Sequence, residues 1–285
     1  MENFIKFLYT VFILIWVPRA AAERGLYMKY YVVDVFTKEH FRGNPAGVCL
    51  LEDWLADEVM QKIAFENNLA ETAFLVKKEG YYELRWFTPK VEVDLCGHAT
   101  LGSAYVLMNY VDTARVKVEF HTKSGVLTVT RDGELFTMNF PSRKPVPCAV
   151  PELLEKALGV GVCETHMARD LLVLIKDAET LAKMKPDFTL LTKIDPVFGF
   201  IVTAKGDDCD FVSRFFAPNA GVPEDPVTGS SHTTLVPFWS ERLGKTSFTA
   251  RQLSQRGGSL YCKDLGSRVE ISGEAVTHLI GEILL

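Results

Sequence analysis

The sequence contains no CxxC pair, no GxGxxG, no Walker-type glycine loop ending in Lys-Ser/Thr, and no GxSxG elbow. Those absences remove support for a zinc knuckle or dithiol redox centre, for nucleotide binding, and for serine-hydrolase chemistry. The net charge of −5 comes from acidic and basic residues interspersed along the chain, so no basic face offers itself to nucleic acid or to an anionic membrane. A small-molecule partner fits such a surface better.

What is present is the make-up of an ordinary soluble protein: 285 residues, 48% hydrophobic and 24% charged, enough to bury a large core. That length permits one large domain or two of ordinary size. The six cysteines (Cys49, Cys96, Cys148, Cys163, Cys209 and Cys262) are scattered, and reduced thiols are the expectation. Phe7 to Val17 form an apolar run flanked by Lys6 and by Ala20-Ala21-Ala22, the layout of a secretory signal but too short to span a bilayer. No Asn-X-Ser/Thr sequon accompanies it, and Met28 opens the globular pattern. Residues 1–27 therefore read as a leader or upstream-start extension on a cytoplasmic protein, with secretion the alternative if residues 1–22 are a true signal.

The chain repeats itself. Arg85-Trp86-Phe87-Thr88-Pro89 recurs as Arg214-Phe215-Phe216-Ala217-Pro218, each a short strand ended by proline. A polar loop follows each time, then a glycine opening a helix-like run: Gly97-His98-Ala99-Thr100-Leu101 and Gly229-Ser230-Ser231-His232-Thr233. Further on, Lys123-Ser124-Gly125-Val126-Leu127 matches Arg256-Gly257-Gly258-Ser259-Leu260, with Gly133 and Gly266 following. Landmarks that keep nearly one offset indicate a duplicated unit. The division expected is 28–135 plus 275–285 for the first half and 136–274 for the second.

Tyr30 to Phe36, Thr72 to Val76, Tyr82 to Phe87, Val116 to Phe120, Leu127 to Thr130 and Leu135 to Phe140 read as strands, and Asp57 to Asn67 as an amphipathic helix. His98 to Asn109 and Ser231 to Leu243 are apolar on most sides, as helices enclosed by strands would be. Many strands around one buried helix, twice, is an α+β architecture of two barrel-like halves with a ligand between them.

The two glycine-led helix starts offer unpaired N–H groups and positive dipole ends suited to a carboxylate, although glycine, serine and threonine there also serve as plain caps. Glu71, in Asn68-Leu69-Ala70-Glu71-Thr72-Ala73-Phe74, is by its local sequence either an edge charge, the simpler reading, or a buried carboxyl fit for acid–base work. His98 is a helix-start hydrogen-bonding residue or an acid–base partner. Asp225 can be a turn residue before proline, Glu224 beside it a solvated charge, and Arg85 and Arg214 structural. A metal on Asp94, Cys96 and His98 lacks a fourth ligand, so no metal is expected.

Four ordered stretches, Phe41-Arg42-Gly43-Asn44-Pro45-Ala46, Asn68 to Phe74, Leu95-Cys96-Gly97-His98-Ala99-Thr100 and Glu224-Asp225-Pro226-Val227-Thr228-Gly229-Ser230, resemble the PhzF-like family of phenazine-biosynthesis-type isomerases. The likeness runs from about Met28 to the C-terminus, and Trp239 to Lys245 with Arg256-Gly257-Gly258 is similar to the animal members. The resemblance implies the diaminopimelate-epimerase fold, two pseudo-symmetric halves each with a sheet around a central helix, no cofactor, and a homodimer. It implies a 1,3-proton shift on a small carboxylic acid, with Glu71 as general acid/base and His98, Asp225 and Ser230 around the reacting group. Gly97, Ala99, Thr228, Gly229 and Ser231 would line the substrate.

Two rival functions remain on sequence. A two-thiol racemase of the same fold needs a cysteine at both helix starts, but Cys96 has only Thr228 as its counterpart, and a hydroxyl is too weak an acid for that role. A non-catalytic binding or regulatory protein would have no physical reason to keep Glu71, His98, Asp225 and Ser230 together.

Overall fold

Alternating burial lays out the strands. Phe136, Met138 and Phe140 point inward along one strand, and Phe248, Ala250 and Gln252 along another, with polar neighbours facing out. A computed structural model describes residues 27–285, so the leader expected over 1–27 lies, apart from Tyr27, outside the described residues. No helix among the described residues is long and apolar enough to cross a membrane.

The first eight strands in chain order are β1 (Tyr27–Val35), β2 (Asn44–Leu51), β3 (Glu71–Lys77), β4 (Tyr82–Phe87), β5 (Glu92–Val93), β6 (Lys117–Thr122), β7 (Gly125–Asp132) and β8 (Leu135–Pro141). After them come β9 (Val146–Pro147), β10 (Glu164–Met167), β11 (Leu171–Leu174), β12 (Phe200–Lys205), β13 (Phe211–Ala217), β14 (Val222–Asp225), β15 (Ser247–Gln252), β16 (Gly258–Asp264), β17 (Arg268–Gly273) and β18 (Ala275–Leu284).

Their pairing is a palindrome. One run reads β18-β1-β2-β3-β4-β6-β7-β8, with only β2–β3 and β4–β6 parallel. The other reads β9-β10-β11-β12-β13-β15-β16-β17, with only β11–β12 and β13–β15 parallel. The runs join at the antiparallel β8–β17 pair. The fold is thus α+β and diaminopimelate-epimerase-like, and the repeat visible in the sequence is its pseudo-symmetry.

Helices α1 (Asp57–Asn67), α2 (Gly97–Val106), α3 (Leu154–Leu158), α4 (Ala178–Lys183), α5 (Phe188–Leu191) and α6 (His232–Leu243) complete the described chain. Helix α2 buries nearly every side chain, so it has no amphipathic face, and Thr100 and Ser103 return their hydroxyls to the Cys96 and Ala99 carbonyls. In α6, Leu235, Val236, Phe238 and Trp239 are buried, with Trp239 stacked on Phe211. Each such side chain contributes roughly 2 kcal/mol by its removal from water. The remaining helices cover outer faces: α1 presents Met60, Ile63 and Ala64 to Phe74 and Phe87.

Matching arginines brace the strand ahead of each central helix. Arg85 on β4 holds Glu92, and Arg214 on β13 holds Glu224 with both carboxylate oxygens engaged. Arg85 and Arg214 are structural, as expected. Glu224, expected to be a solvated charge, is instead a mostly buried partner of Arg214, because the repeat places it where Glu92 stands in the first half.

The β1–β2 connection is tied to the second half. Gly43 N–H donates to the Gly257 carbonyl, and Ser259 N–H to the Phe36 carbonyl. Arg256 donates to the Asp34 carboxylate and to the Gly43 and Arg42 carbonyls. This anchoring fixes Asn44, the first residue of β2.

Candidate active site

Helix α1 ends at Asn68, whose left-handed backbone (φ 50°) closes the last turn and returns the chain so that Glu71 begins β3. The pairing of Glu71 with Ala46 sets it beside the start of β2, where Asn44 lies. The extended Cys96 reverses the chain into α2 and delivers His98 in the first turn. From the second half, β14 ends at Asp225, and a tight turn at Gly229–Ser231 leads into α6. That turn lies against α2, so the two helix starts meet. Neither start carries a side-chain cap hydrogen bond.

Three of the four expected catalytic residues, Glu71, His98 and Asp225, come together with Asn44, Thr228 and Gln252, while Ser230 stays outside this set of bonds. Glu71 Oε2 lies 3.3 Å from His98 Nε2. Asn44 Nδ2 donates to Asp225 Oδ1 at 2.8 Å and to the Val227 carbonyl at 2.8 Å, and lies 3.4 Å from His98 Nδ1. Thr228 Oγ1 donates to Asp225 Oδ2 at 2.5 Å. Gln252 completes this side, accepting from Thr228 N–H and donating to the Asp225 carbonyl.

Burial governs the charges. Burial first, and the Asp225 carboxylate second, push Glu71 up to about 8, with the Cys96 thiol opposing. Burial pushes His98 down to about 4, opposed by a hydrogen bond to the Pro45 carbonyl. Burial also raises Asp225, against the hydrogen bonds from Thr228 and Asn44. Burial, helped by Glu71, raises the Cys96 thiol well above its usual range, so it stays protonated.

His98 Nε2 faces the Glu71 carboxyl at 3.3 Å, while Nδ1 lies 3.4 Å from Asn44 Nδ2 and 3.5 Å from Cys96 Sγ; with the ring proton on Nδ1, toward the Pro45 carbonyl, Nε2 presents a lone pair to Glu71. In that tautomer the neutral His98 accepts at Nε2 from Glu71, which keeps its proton up to about pH 8.

Among the other expected contacts, Gly97 opens α2, and a Cβ there would meet the Phe140 and Met138 side chains at ordinary contact distance, 3.8 and 3.9 Å. Ala99 is fully buried, backbone included. Thr228 has both N–H and O–H engaged, and Ser231 spends its hydroxyl on the Thr228 carbonyl. Gly229 packs against the Phe36 ring. Ser230 is half-buried and gives its carbonyl to Thr233, while its side chain makes no contact with Glu71, His98 or Asp225. His232 and Thr233 belong to the buried helix, as expected.

Glu71, Cys96 and His98 each bring a donor atom within 4.8 Å of the others. Three donors fall short of a closed zinc site, and the free ring nitrogen faces the carboxyl, so the trio fits a shared proton. Asp94 is exposed and contributes only its carbonyl, to Ser124. Asn44 and Gln252 were not singled out from sequence. Asn44 stands inside the quoted Gly43-Asn44-Pro45 stretch, but an amide gives no chemical signal until its partners are known. A separate groove around Asp208, Asp210, Lys245 and Thr249 shares no residue with this network, and Asp208 and Asp210 there are paired with Arg251 and Lys245.

The profile of the phenazine biosynthesis-like protein family (PhzC-PhzF) matches residues 33–281. An uncharacterized isomerase of Pseudomonas aeruginosa is 51% identical over 255 residues, covering 90% of this chain and 98% of that protein. Phenazine biosynthesis-like domain-containing protein 2 of Mus musculus is 39% identical, covering 89% and 98%. The crystal structure of a PhzF-family protein from Enterococcus faecalis superposes with a TM-score of 0.90 at 48% identity, covering 91% of this chain and all of that one. Identity is higher to the bacterial isomerase than to the mouse protein, so the likeness fixes the family rather than its animal branch. On both sequence and fold, the chain belongs to the phenazine biosynthesis-like (PhzC-PhzF) family.

Proposed function

We propose that the protein is a cofactor-independent isomerase that moves a proton, by a 1,3-shift, on a small carboxylic acid held between the two helix starts. Glu71 takes the proton from one carbon and returns it to another. The observation that carries this reading is a carboxyl group buried beside a neutral imidazole and a second carboxylate, which holds its proton up to about pH 8. A group that must both accept and release a proton works best with an affinity near the ambient pH. The names of the bacterial relatives, isomerases, agree with that chemistry.

In this mechanism the ionised Glu71 removes the C–H proton, and negative charge spreads toward the substrate carboxylate. The N–H groups opening α2 and the Gly229–Ser231 turn, with the Ser230 hydroxyl, meet that charge. His98 Nε2 then accepts from protonated Glu71, holding the acid in place between its two transfers. The division into 28–135 with 275–285 and 136–274 belongs to the same proposal, supported by β18 lying on β1.

The test is solvent-deuterium exchange by a panel of cyclic and unsaturated amino and hydroxy acids. Wild type should exchange at least one, and Glu71→Gln should lose at least ~100-fold in rate, the usual scale for a general base. Equal exchange by both proteins would remove Glu71 from the reaction.

The dependence on pH has a defined sign. Since only ionised Glu71 is a base, exchange in the free enzyme should rise with pH and level off above about 8. A rate already on its plateau at pH 6 contradicts this. Cys96→Ala should keep most of the exchange, whereas a two-thiol racemase would lose all of it. The thiol is held protonated, and its counterpart Thr228 gives its hydroxyl to Asp225.

A further inference from the structure

Asn44 has an amide nitrogen with two hydrogens, and both are spent across the cleft, on Asp225 Oδ1 and on the Val227 carbonyl. Its residue is fully buried, and its neighbours Gly43 and Arg42 are gripped by Gly257 and Arg256 of the second half. With both hydrogens so used, the 3.4 Å approach of Asn44 Nδ2 to His98 Nδ1 adds no third bond of comparable strength.

Asp225 receives a donor on each oxygen, Asn44 on Oδ1 and Thr228 on Oδ2. Two donors and no acceptor suit a carboxylate, not a carboxylic acid, which would need somewhere to place its own hydrogen. We propose that Asn44 is a positioning residue of the site, whose amide holds Asp225 ionised against Glu71 and ties the turn before α6 to strand β2. This rests on the reading of Glu71 as the proton carrier and adds what keeps the proton on it.

The charged and titratable groups facing the pair are few. Glu71 meets His98 and Cys96 from the start of α2 and Asp225 from β14. Asp225 meets Glu224, whose carboxylate is occupied by Arg214. No lysine or arginine forms an ion pair with Glu71 or Asp225 among the described residues. With no cation to compensate, the ionisation of Asp225 depends on its two neutral donors. Removing one lets Asp225 take a proton, and Glu71, freed of a neighbouring negative charge, should release its own more easily.

The experiment titrates Glu71 itself, without a substrate. Protein labelled with ¹³C at the glutamate side-chain carboxyl is followed by NMR against pH, and the Glu71 resonance is assigned by its loss in Glu71→Gln. Wild type should titrate near pH 8. In Asn44→Ala the midpoint should fall by about one pH unit, tenfold in proton affinity. Asp225→Asn should lower it at least as far, and the double variant no further. Should Asn44→Ala fail to fold, Asn44→Ser, which keeps one donor hydrogen, should give a smaller fall in the same direction.

A midpoint unchanged or raised in a folded Asn44 variant, while Asp225→Asn lowers it, overturns the role of Asn44 and leaves the reading of Glu71 intact. A wild-type midpoint in the ordinary carboxylate range overturns both.

Discussion

Glu71→Gln is expected to be more stable than wild type at alkaline pH and equally stable in acid. In the folded protein Glu71 keeps its proton to about pH 8, against 4.5 for an unhindered glutamate. Its folded form therefore suits the structure below pH 4.5, and that advantage is lost as pH rises through 8 and the buried group must ionise. Above pH 8 the cost is at most about 5 kcal/mol. It is smaller in practice, since Glu71 keeps 20% of its side chain in water. A glutamine of the same shape never ionises, so its urea midpoint should exceed that of wild type above pH 8, with the gap closing toward pH 5. A site that stores instability for function behaves in this way. Identical stability at pH 9 would mean that the carboxyl ionises freely.

His98 adds the opposite limb. Its folded form is neutral to about pH 4, so stability is present above 6.5 and lost as pH falls toward 4. The two buried groups narrow the stable range from both sides.

Gly43→Ala should be the more damaging change to the scaffold. Its backbone is left-handed (φ 66°), and a Cβ there would stand 2.2 Å from the Val35 carbonyl oxygen and 2.7 Å from Thr37 Cγ2. A backbone oxygen in a paired strand cannot move aside, so the loss should exceed about 2 kcal/mol. Gly80 is the control. It is also left-handed (φ 87°) but has nothing within 4 Å, so Gly80→Ala should cost only the conformational penalty, about 1 kcal/mol. Urea unfolding of the two variants should separate the steric cost from the conformational one. Because Asn44 follows Gly43, exchange should also fall in Gly43→Ala and persist in Gly80→Ala.

Much of this fold was readable before any coordinates. The repeated Arg-aromatic-aromatic strands and glycine-led helices lie in equivalent places, and α1 spans the segment its amphipathic pattern marks. Strand β2 did not announce itself, because Asn44, Pro45 and Gly47 are turn-forming residues in sequence and become strand only through β1 and β3. Helices α3, α4 and α5 are four to six residues long, too short to establish a helical period. In the site, Glu71 looked like an edge charge because burial is a property of the far side of the cleft. Asn44 and its partner Asp225 are 181 residues apart, a relation that no local pattern carries. Glu224 misled for a related reason: its partner Arg214 lies in the preceding strand, and only the first-half pair of Arg85 with Glu92 hinted at it.

The most direct test of a single proton carrier uses whichever acid exchanges, deuterated at the labile carbon and turned over once in ordinary water. If Glu71 both takes and returns the proton from its shielded position, part of the deuterium should appear at the new carbon of the product. Deuterium lost completely to solvent in a single turnover, or found inverted at the original carbon, would contradict a one-carboxyl shift.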